Sequence, residues 1–411
     1  MSGDTAPAAT RRLLSISTLY PNRQRPRFGS FVARSLEALA RHEAWEVTVI
    51  NPIGVPPIAM GRYRALKEAA VDGMENGIPV HRPVFPLLPR IGGRINPAMI
   101  ARSILPLARR LHAETPFDMV DAQFFYPDGP AAERIARALD LPLAIKARGG
   151  DIHFWGGKRY ARKAMMRSAG TADLLLAVCG ALAEDMRAIG IPPDRTALHY
   201  TGLDHDRFRP LDHAALRRRI AAELGIDLPG SAPWLATVGA LVERKGQQLV
   251  LSALEELPAA HLLLVGEGPD EATFRRQAAR QGLADRVHFL GSVDHDVLPL
   301  LLSAADIMVL PSASEGLANA WIEALACGTP IVISDVGGAR EVVTGRDAGL
   351  IVERDARSIA AGVQDLLAAL PTADAAAAAA RRFSWRENAR MLARYYDAAV
   401  TGTVKETLRV K

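Results

Sequence analysis

Ile307-Met-Val-Leu310, Pro311-Ser-Ala-Ser314, Glu315-Gly-Leu-Ala-Asn-Ala-Trp-Ile-Glu-Ala-Leu-Ala-Cys-Gly328 and Pro330-Ile-Val-Ile333 follow one another with only Thr329 intervening. The first run is short and apolar, as a buried strand is, and the second is a polar turn. Ala320 to Ala326 are good helix formers, and Gly328 supplies the left-handed residue that ends such a helix. A second apolar strand follows. This order predicts an open α/β sheet, whose ligands bind in the crevice at the carboxyl ends of the strands. Glu315 and Gly316 stand in that loop, facing a helix N-terminus whose free N–H groups suit a phosphate. Glu323, about one turn into the helix, can point back to the same mouth. Two carboxylates beside an anion site make sense if they bind hydroxyls. A nucleotide-sugar offers that combination: a diphosphate for the helix, and sugar and ribose hydroxyls for the carboxylates.

Outward from this stretch the same alternation repeats. Trp234 to Val238, His261 to Val265, Val287 to Leu290 and Ile331 to Ile333 also read as strands, each followed by a helix. In the first half the strands are Leu13 to Ile16, Glu46 to Ile50, Met119 to Ala122, Leu143 to Lys146 and Leu174 to Val178. Helical stretches there are Ser30 to Arg41, Ala131 to Leu139 and Ala181 to Ile189. The pattern breaks in a Gly/Pro-marked linker near Thr201. The expectation is an α/β chain of two Rossmann-like, doubly wound parallel-sheet domains, 11–203 and 204–384, facing each other across a cleft.

Several loops carry groups that suit a charged ligand. Arg244 and Lys245 follow the first strand of the second domain, where two cations can grip a diphosphate and stabilise it as it leaves. Gly266-Glu-Gly268 is a strand-to-helix turn, with Pro269 expected at the first helical position. It lacks the third glycine of a dinucleotide fingerprint. Two Asp-His-Asp triplets, at 204–206 and 294–296, invite a metal reading. The first lies in the linker, and the second opens a helix with Asp294 as a natural N-cap. Arg244 and Lys245 already supply what a metal would, so no metal and no cofactor is expected beyond the nucleoside-diphosphate-sugar as co-substrate.

The Glu315-x7-Glu323 pair, with Gly316 after the first Glu and Ala326-Cys-Gly-Thr-Pro-Ile-Val332 behind the second, resembles the donor motif of the family-4 retaining glycosyltransferases. The resemblance implies the GT-B architecture, with the helix at 385–400 crossing back to the first domain. It implies that Glu315 contacts the donor sugar, that Glu323 holds the ribose, and that the loop through Gly316, Leu317 and Asn319 meets the diphosphate. Arg244 and Lys245 inherit the diphosphate grip, and Gly266 and Gly268 the turn near the nucleotide. Val293 marks the backbone that meets the base. Gly29, in the basic loop with Arg23, Arg25 and Arg27, lets the backbone approach donor phosphates and acceptor. Arg148-Gly-Gly-Asp151 departs from the pattern. Many members have His where Arg148 stands, and an always-charged guanidinium cannot be a general base. Asp151 keeps the family's Asp, whereas His153, two residues beyond the motif, reads as a structural or solvated side chain. The implied reaction retains configuration by front-face displacement. The implied acceptor is a glycan or lipid-linked hydroxyl in bacterial exopolysaccharide, capsule or teichuronic-type assembly.

Composition fits this reading. The chain has 411 residues, 49% hydrophobic and 23% charged, and only two cysteines, Cys179 and Cys327, far apart in apolar segments. That usage suggests a reducing compartment without a disulfide framework. No apolar run approaches a membrane span, and Met1 to Thr10 lacks a signal peptide's core, so a cytoplasmic chain is expected. Net charge is +9 over residues 1–203 and −4 over 204–411. With no nucleic-acid module present, the basic half points to an anionic membrane surface, such as the inner face of the cytoplasmic membrane, or to a polyanionic glycan. Phe154 to Ala169 reads as a basic amphipathic helix with a Lys158, Arg159, Arg162, Lys163 stripe. Two other classes stay open on sequence: a nucleotide-sugar 2-epimerase, and a non-enzymatic two-lobed ligand-binding protein.

Overall fold

A computed structural model of the chain describes residues 10–88, 92–224 and 232–409. The chain divides into two compact units. Unit 1 holds the described residues up to Gly202 and again from Trp385, and unit 2 is Leu203–Ser384.

Unit 1 contains β1 (Arg11–Ile16), β2 (Trp45–Ile50), β3 (Ile53–Val55), β4 (Gly73–Glu75), β5 (Ile78–His81), β6 (Val84–Pro86), β7 (Met119–Ala122), β8 (Leu143–Ala147), β9 (Leu174–Ala177) and β10 (Thr196–Leu198). Eight of these form one sheet in the order β10-β9-β8-β7-β1-β2-β5-β4, parallel except at β4, and β3 pairs with β6 separately. Between the strands run α1 (Ser30–His42), α2 (Arg62–Glu68), α3 (Gly92–Glu114), α4 (Asp128–Leu139), α5 (Arg159–Thr171) and α6 (Gly180–Ala188). β8 and β9 are buried at every position, and their sequences run apolar as parallel strands covered on both faces do. Lys146 is the exception: its amine meets His199 in the core, and burial pushes both groups toward their neutral forms.

The expected basic amphipathic helix is corrected here. Asp151–Trp155 form a single π-helical turn, and α5 starts at Arg159 with Lys158 at its N-cap. Its apolar face, Ala161, Met165 and Ala169, is buried in the fold and is not free for a membrane. What remains outside is the cationic side, with Met166 and Phe154 also exposed. No helix among the described residues is long and apolar enough to cross a membrane.

Unit 2 has six parallel strands: β11 (Trp234–Val238), β12 (His261–Val265), β13 (Val287–Gly291), β14 (Ile307–Leu310), β15 (Ile331–Ser334) and β16 (Gly349–Val352). Its helices are α7 (His213–Leu224), α8 (Gln247–Ala253), α9 (Glu271–Arg280), α10 (Leu298–Ala304), α11 (Asn319–Ala326), α12 (Ala339–Val342), α13 (Ala356–Ala368) and α14 (Ala373–Ala378). The sheet order is β13-β12-β11-β14-β15-β16, so chain direction across the sheet reverses between β11 and β14. Ligands of doubly wound sheets bind at that reversal. The end of α11 is as read: Gly328 has φ 85, its N–H bonds to Leu325, and Thr329 N–H bonds to Ala324. These two bonds are a Schellman cap.

Two helix starts differ from expectation. α9 begins at Glu271, not at Pro269, because Asp270 turns back and accepts the Glu243 N–H at 2.7 Å. α10 begins at Leu298 with Val297 at the N-cap; the Asp294 carbonyl closes a turn ahead of it by accepting from Val297 and Leu298.

The chain then returns to unit 1 as α15 (Trp385–Thr401) and α16 (Val404–Arg409). α15 lies on α1, and its Leu392, Ala393 and Tyr396 join the apolar core with Leu36, Trp45 and Val47. Asn388 binds Ser35 through its side chain and His199 through its carbonyl.

Candidate active site

The loops after β11 and β14 are laced together. Glu243–Lys245 form a short 3-10 turn ending at Gly246, which has φ 83. A Cβ at Gly246 would lie 2.3 Å from the Pro311 carbonyl oxygen, so only glycine lets the loops approach this closely. Ala313 N–H donates to the Arg244 carbonyl at 2.7 Å, and Arg354 donates to the carbonyls of Pro311 and Glu243. Across this junction Lys245 Nζ lies 2.6 Å from Glu315 Oε1, and an Arg244 guanidinium nitrogen 3.6 Å from the same oxygen. Lys245 and Glu315 are sheltered, with side chains 15% and 11% exposed, whereas Arg244 is half out at 50% and also donates to the Ser314 carbonyl. The site therefore offers one sheltered ammonium and one half-exposed guanidinium beside a carboxylate.

Glu315 and Gly316 lead through Leu317 and Ala318 into α11. Ala318 at the N-cap has no side-chain oxygen, and no side chain caps the first turn from Asn319. Those N–H groups can take an anion. Glu323 sits in the second turn, half-buried; burial, with a smaller push from the Glu323 charge, raises the Cys327 thiol to about 12. Gly266 and Gly268 border the same region: a Cβ at either would lie 2.1 Å from a carbonyl oxygen of the β11 loop, Gly239 or Leu241. Val293, two residues after β13, is half-buried against the core around Trp234.

The sequence reading missed the buttress behind Glu315. After β15 the chain turns at Gly337, with φ 52, where a Cβ would lie 2.3 Å from the Gly316 carbonyl oxygen and 2.5 Å from that of Glu315. Gly338 N–H donates to the Gly316 carbonyl at 2.8 Å. The adjacent glycines after an apolar strand were the available signal.

Unit 1 gathers a second set. Arg148 donates to the Gln123 carbonyl at 3.2 Å and to Gln123 Oε1 at 2.6 Å, and lies over the Phe31 ring. Gln123 Nε2 binds Asp121, which also accepts the Tyr396 hydroxyl from α15. Burial pushes Arg148 down to about 10, leaving it charged at neutral pH. Asp151 is fully buried, and its oxygens accept backbone N–H groups of Phe125, Arg148, Gly149 and Ile152. Its carboxylate is spent on the loop, which makes Asp151 a positioning residue for Arg148 and not a group presented to a ligand. Gly29 begins α1 with φ 74, and a Cβ there would lie 2.5 Å from the Leu19 carbonyl oxygen. His153 bonds Asp185 at the surface. Among the described residues no three His, Cys, Asp or Glu side chains gather as a metal site.

Residues 225–383 match the family described as glycosyl transferases group 1, and residues 29–207 match glycosyltransferase family 4. The chain is 28% identical to a Bacillus subtilis protein named for teichuronic acid biosynthesis, TuaC, over 86% of this chain and 88% of that one. It is 32% identical to a GDP-mannose-dependent phosphatidylinositol monomannoside mannosyltransferase of Mycolicibacterium smegmatis, over 63% of this chain and 71% of that one. Among solved structures it is similar to HepE of Anabaena in complex with UDP and glucose, with a TM-score of 0.72 at 20% identity, over 95% of this chain and all of that one. That likeness is one of fold.

Proposed function

The chain belongs to the family-4 glycosyltransferases, which have the GT-B fold, and we propose that it moves a sugar from a nucleoside diphosphate to a hydroxyl acceptor with retention of configuration. The observation that carries the donor half is the Lys245–Glu315 pair at the reversal point between β11 and β14. There a diphosphate has the ammonium, the Arg244 guanidinium and the uncapped first turn of α11 as partners, and the donor sugar has the Glu315 carboxylate. Glu323 takes the ribose, and the backbone beside Gly266, Gly268 and Val293 takes the nucleoside. HepE was crystallised with UDP and glucose and the mannosyltransferase uses GDP-mannose, which supports a nucleotide-sugar donor without choosing its base.

In the step itself the bond from the anomeric carbon to the diphosphate oxygen breaks, and a bond to the acceptor oxygen forms on the same face. The acceptor proton passes to the departing phosphate oxygen. Lys245 and Arg244 stabilise the charge that develops on the diphosphate, the usual place for the largest electrostatic gain. Unit 1 receives the acceptor, with the charged Arg148 as a partner for a negative group on it. The acceptor is a growing cell-surface glycan or glycolipid at the cytoplasmic face of the membrane; the names of the two curated relatives and the basic surface of unit 1 support this.

The test is a panel of UDP-, GDP- and ADP-sugars assayed for release of the diphosphate, with and without lipid-linked glycan acceptors. Acceptor-dependent release with one donor is expected. Formation of an epimerised nucleotide-sugar without any acceptor would replace this reading with an isomerase.

A further inference from the structure

Between α3, α4 and α5 of unit 1 opens a groove of about 530 Å³. That is within the roughly 300–1,000 Å³ typical of ligand sites. Its lining comes from the middle of α3, the C-terminal half of α4 and Arg167 near the end of α5, and includes no residue of the Arg148 loop after β8. Its floor is apolar, formed by Ala101, Leu105 and Ile135. Its rim carries Arg102 from α3, Arg134 from α4 and Arg167 from α5. None of these three arginines has a hydrogen-bond or ion-pair partner among the described residues, and the lining's lone carboxylate, Glu133, is already paired with Arg137.

The lining holds four arginines, Arg102, Arg134, Arg137 and Arg167, against one carboxylate, Glu133, so the groove is strongly positive. The arrangement is complemented by an anion. The floor narrows the choice, because it offers no polar side chain and no ring on which a sugar could stack. A charged head carried on a hydrocarbon chain matches both parts. The surroundings agree: α5 adds exposed Arg159, Arg162 and Lys163 with no carboxylate, and Phe154 and Met166 stand out beside them.

We propose that this groove is a seat for one anionic phospholipid of the membrane leaflet. The phosphate rests among Arg102, Arg134 and Arg167, and the first methylenes lie on Leu105 and the aliphatic stems of those arginines. This deepens the membrane part of the function proposed above and rests on it for its biological sense. The test reads binding and not transfer, so either can fail without the other.

The experiment is co-sedimentation of the full chain with phosphatidylglycerol/phosphatidylcholine vesicles at low salt. Each cation near an anionic surface strengthens binding about fivefold. Joint replacement Arg102→Gln, Arg134→Gln and Arg167→Gln should therefore weaken binding on the order of a hundredfold. Arg109→Gln, Arg110→Gln and Arg187→Gln remove the same charge outside the groove and should leave most binding intact. Leu105→Gln, which keeps every cation, should weaken it as well. Thermal unfolding checks that each variant is folded. Equal losses in both triple variants would mean net charge alone acts, and would overturn the seat. So would a wild type that stays in the supernatant, or an unchanged Leu105→Gln. Short-chain phosphatidylglycerol should raise the melting temperature of the wild type where inorganic phosphate at equal concentration does not; equal shifts would make this a phosphate site and overturn the lipid assignment.

Discussion

Lys245 Nζ and Glu315 Oε1 stand 2.6 Å apart although 70 residues separate them in the chain, because β11 and β14 are neighbours where the sheet reverses. Each group sets the position of the other before any ligand arrives. Lys245→Ala should remove the fixed cation and cut the transfer rate by about 10²–10³, the usual cost of losing one charge contact to a transition state. Lys245→Arg should recover part of it. Steady-state kinetics with the preferred donor decide this, and turnover near wild type in the alanine variant would dismiss Lys245 as the diphosphate grip. Activity is expected to survive EDTA; full loss with the chelator would sink the same assignment.

Glu323→Gln keeps the shape of the side chain but weakens it as an acceptor for ribose hydroxyls, so the nucleoside diphosphate alone should bind less tightly. Glu315→Gln should spare that binding and lower transfer. Calorimetry with the diphosphate, beside kinetics, separates the two roles. Equally poor binding in both variants would show that the division between sugar and ribose is misdrawn.

Gly337→Ala tests the buttress. The new Cβ would press on the carbonyls of Gly316 and Glu315, on a residue with φ 52. A left-handed alanine costs roughly 1–2 kcal/mol, and the displaced loop should cost more in donor affinity than in fold. The expected result is a chain that melts cooperatively within a few degrees of wild type yet binds the diphosphate at least about tenfold more weakly. Unchanged affinity would remove Gly337 from the site.

Asp128 tests pH linkage in unit 1. Burial, aided by Asp151 and Asp121 and opposed by hydrogen bonds from Thr18, raises it from 3.8 to about 7. A carboxyl raised in the folded state gives stability that is whole below pH 3.8 and is lost as pH climbs through about 7. The coupled energy is on the order of 4 kcal/mol. Asp128→Asn keeps an acceptor for the Thr18 N–H and mimics the protonated form. Chemical denaturation from pH 4 to 8 should show a flatter decline in the variant than in wild type. Parallel curves would mean Asp128 does not titrate there.

The parts of the fold legible in the sequence are those where one short apolar run equals one buried strand. Trp234–Val238, His261–Val265, Met119–Ala122 and Ile307–Leu310 were read with the bounds they have. The region from Ile53 to Glu114 was not legible. Its strands, Ile53–Val55, Gly73–Glu75, Ile78–His81 and Val84–Pro86, interrupt their few apolar residues with Gly, Pro or polar ones, so no apolar run marks them, and α3 contains Pro97 and Pro106, which read as helix breakers. The Glu315 loop was legible because strand, turn, uncapped helix and glycine stop are consecutive. The ion pair that completes it was not, since adjacency of two parallel strands leaves no local mark. Asp151 shows the converse: a motif named the residue, and only burial revealed that its oxygens serve the backbone.

The return of α15 to unit 1 sets an order of events during synthesis. Unit 2 is one uninterrupted segment and can finish folding as soon as it leaves the ribosome. Unit 1 cannot, because Leu392, Tyr396 and Asn388, which close its core against Leu36, Trp45 and Ser35, are made only after all of unit 2. At about 5–20 residues per second, that wait lasts roughly ten to forty seconds. Through it the nascent sheet carries an open apolar face with Asp121 and His199 unpartnered by α15. Loss of α15 would leave the mature chain in that same unfinished state, with an intact unit 2 tethered to a half that chaperones and proteases recognise.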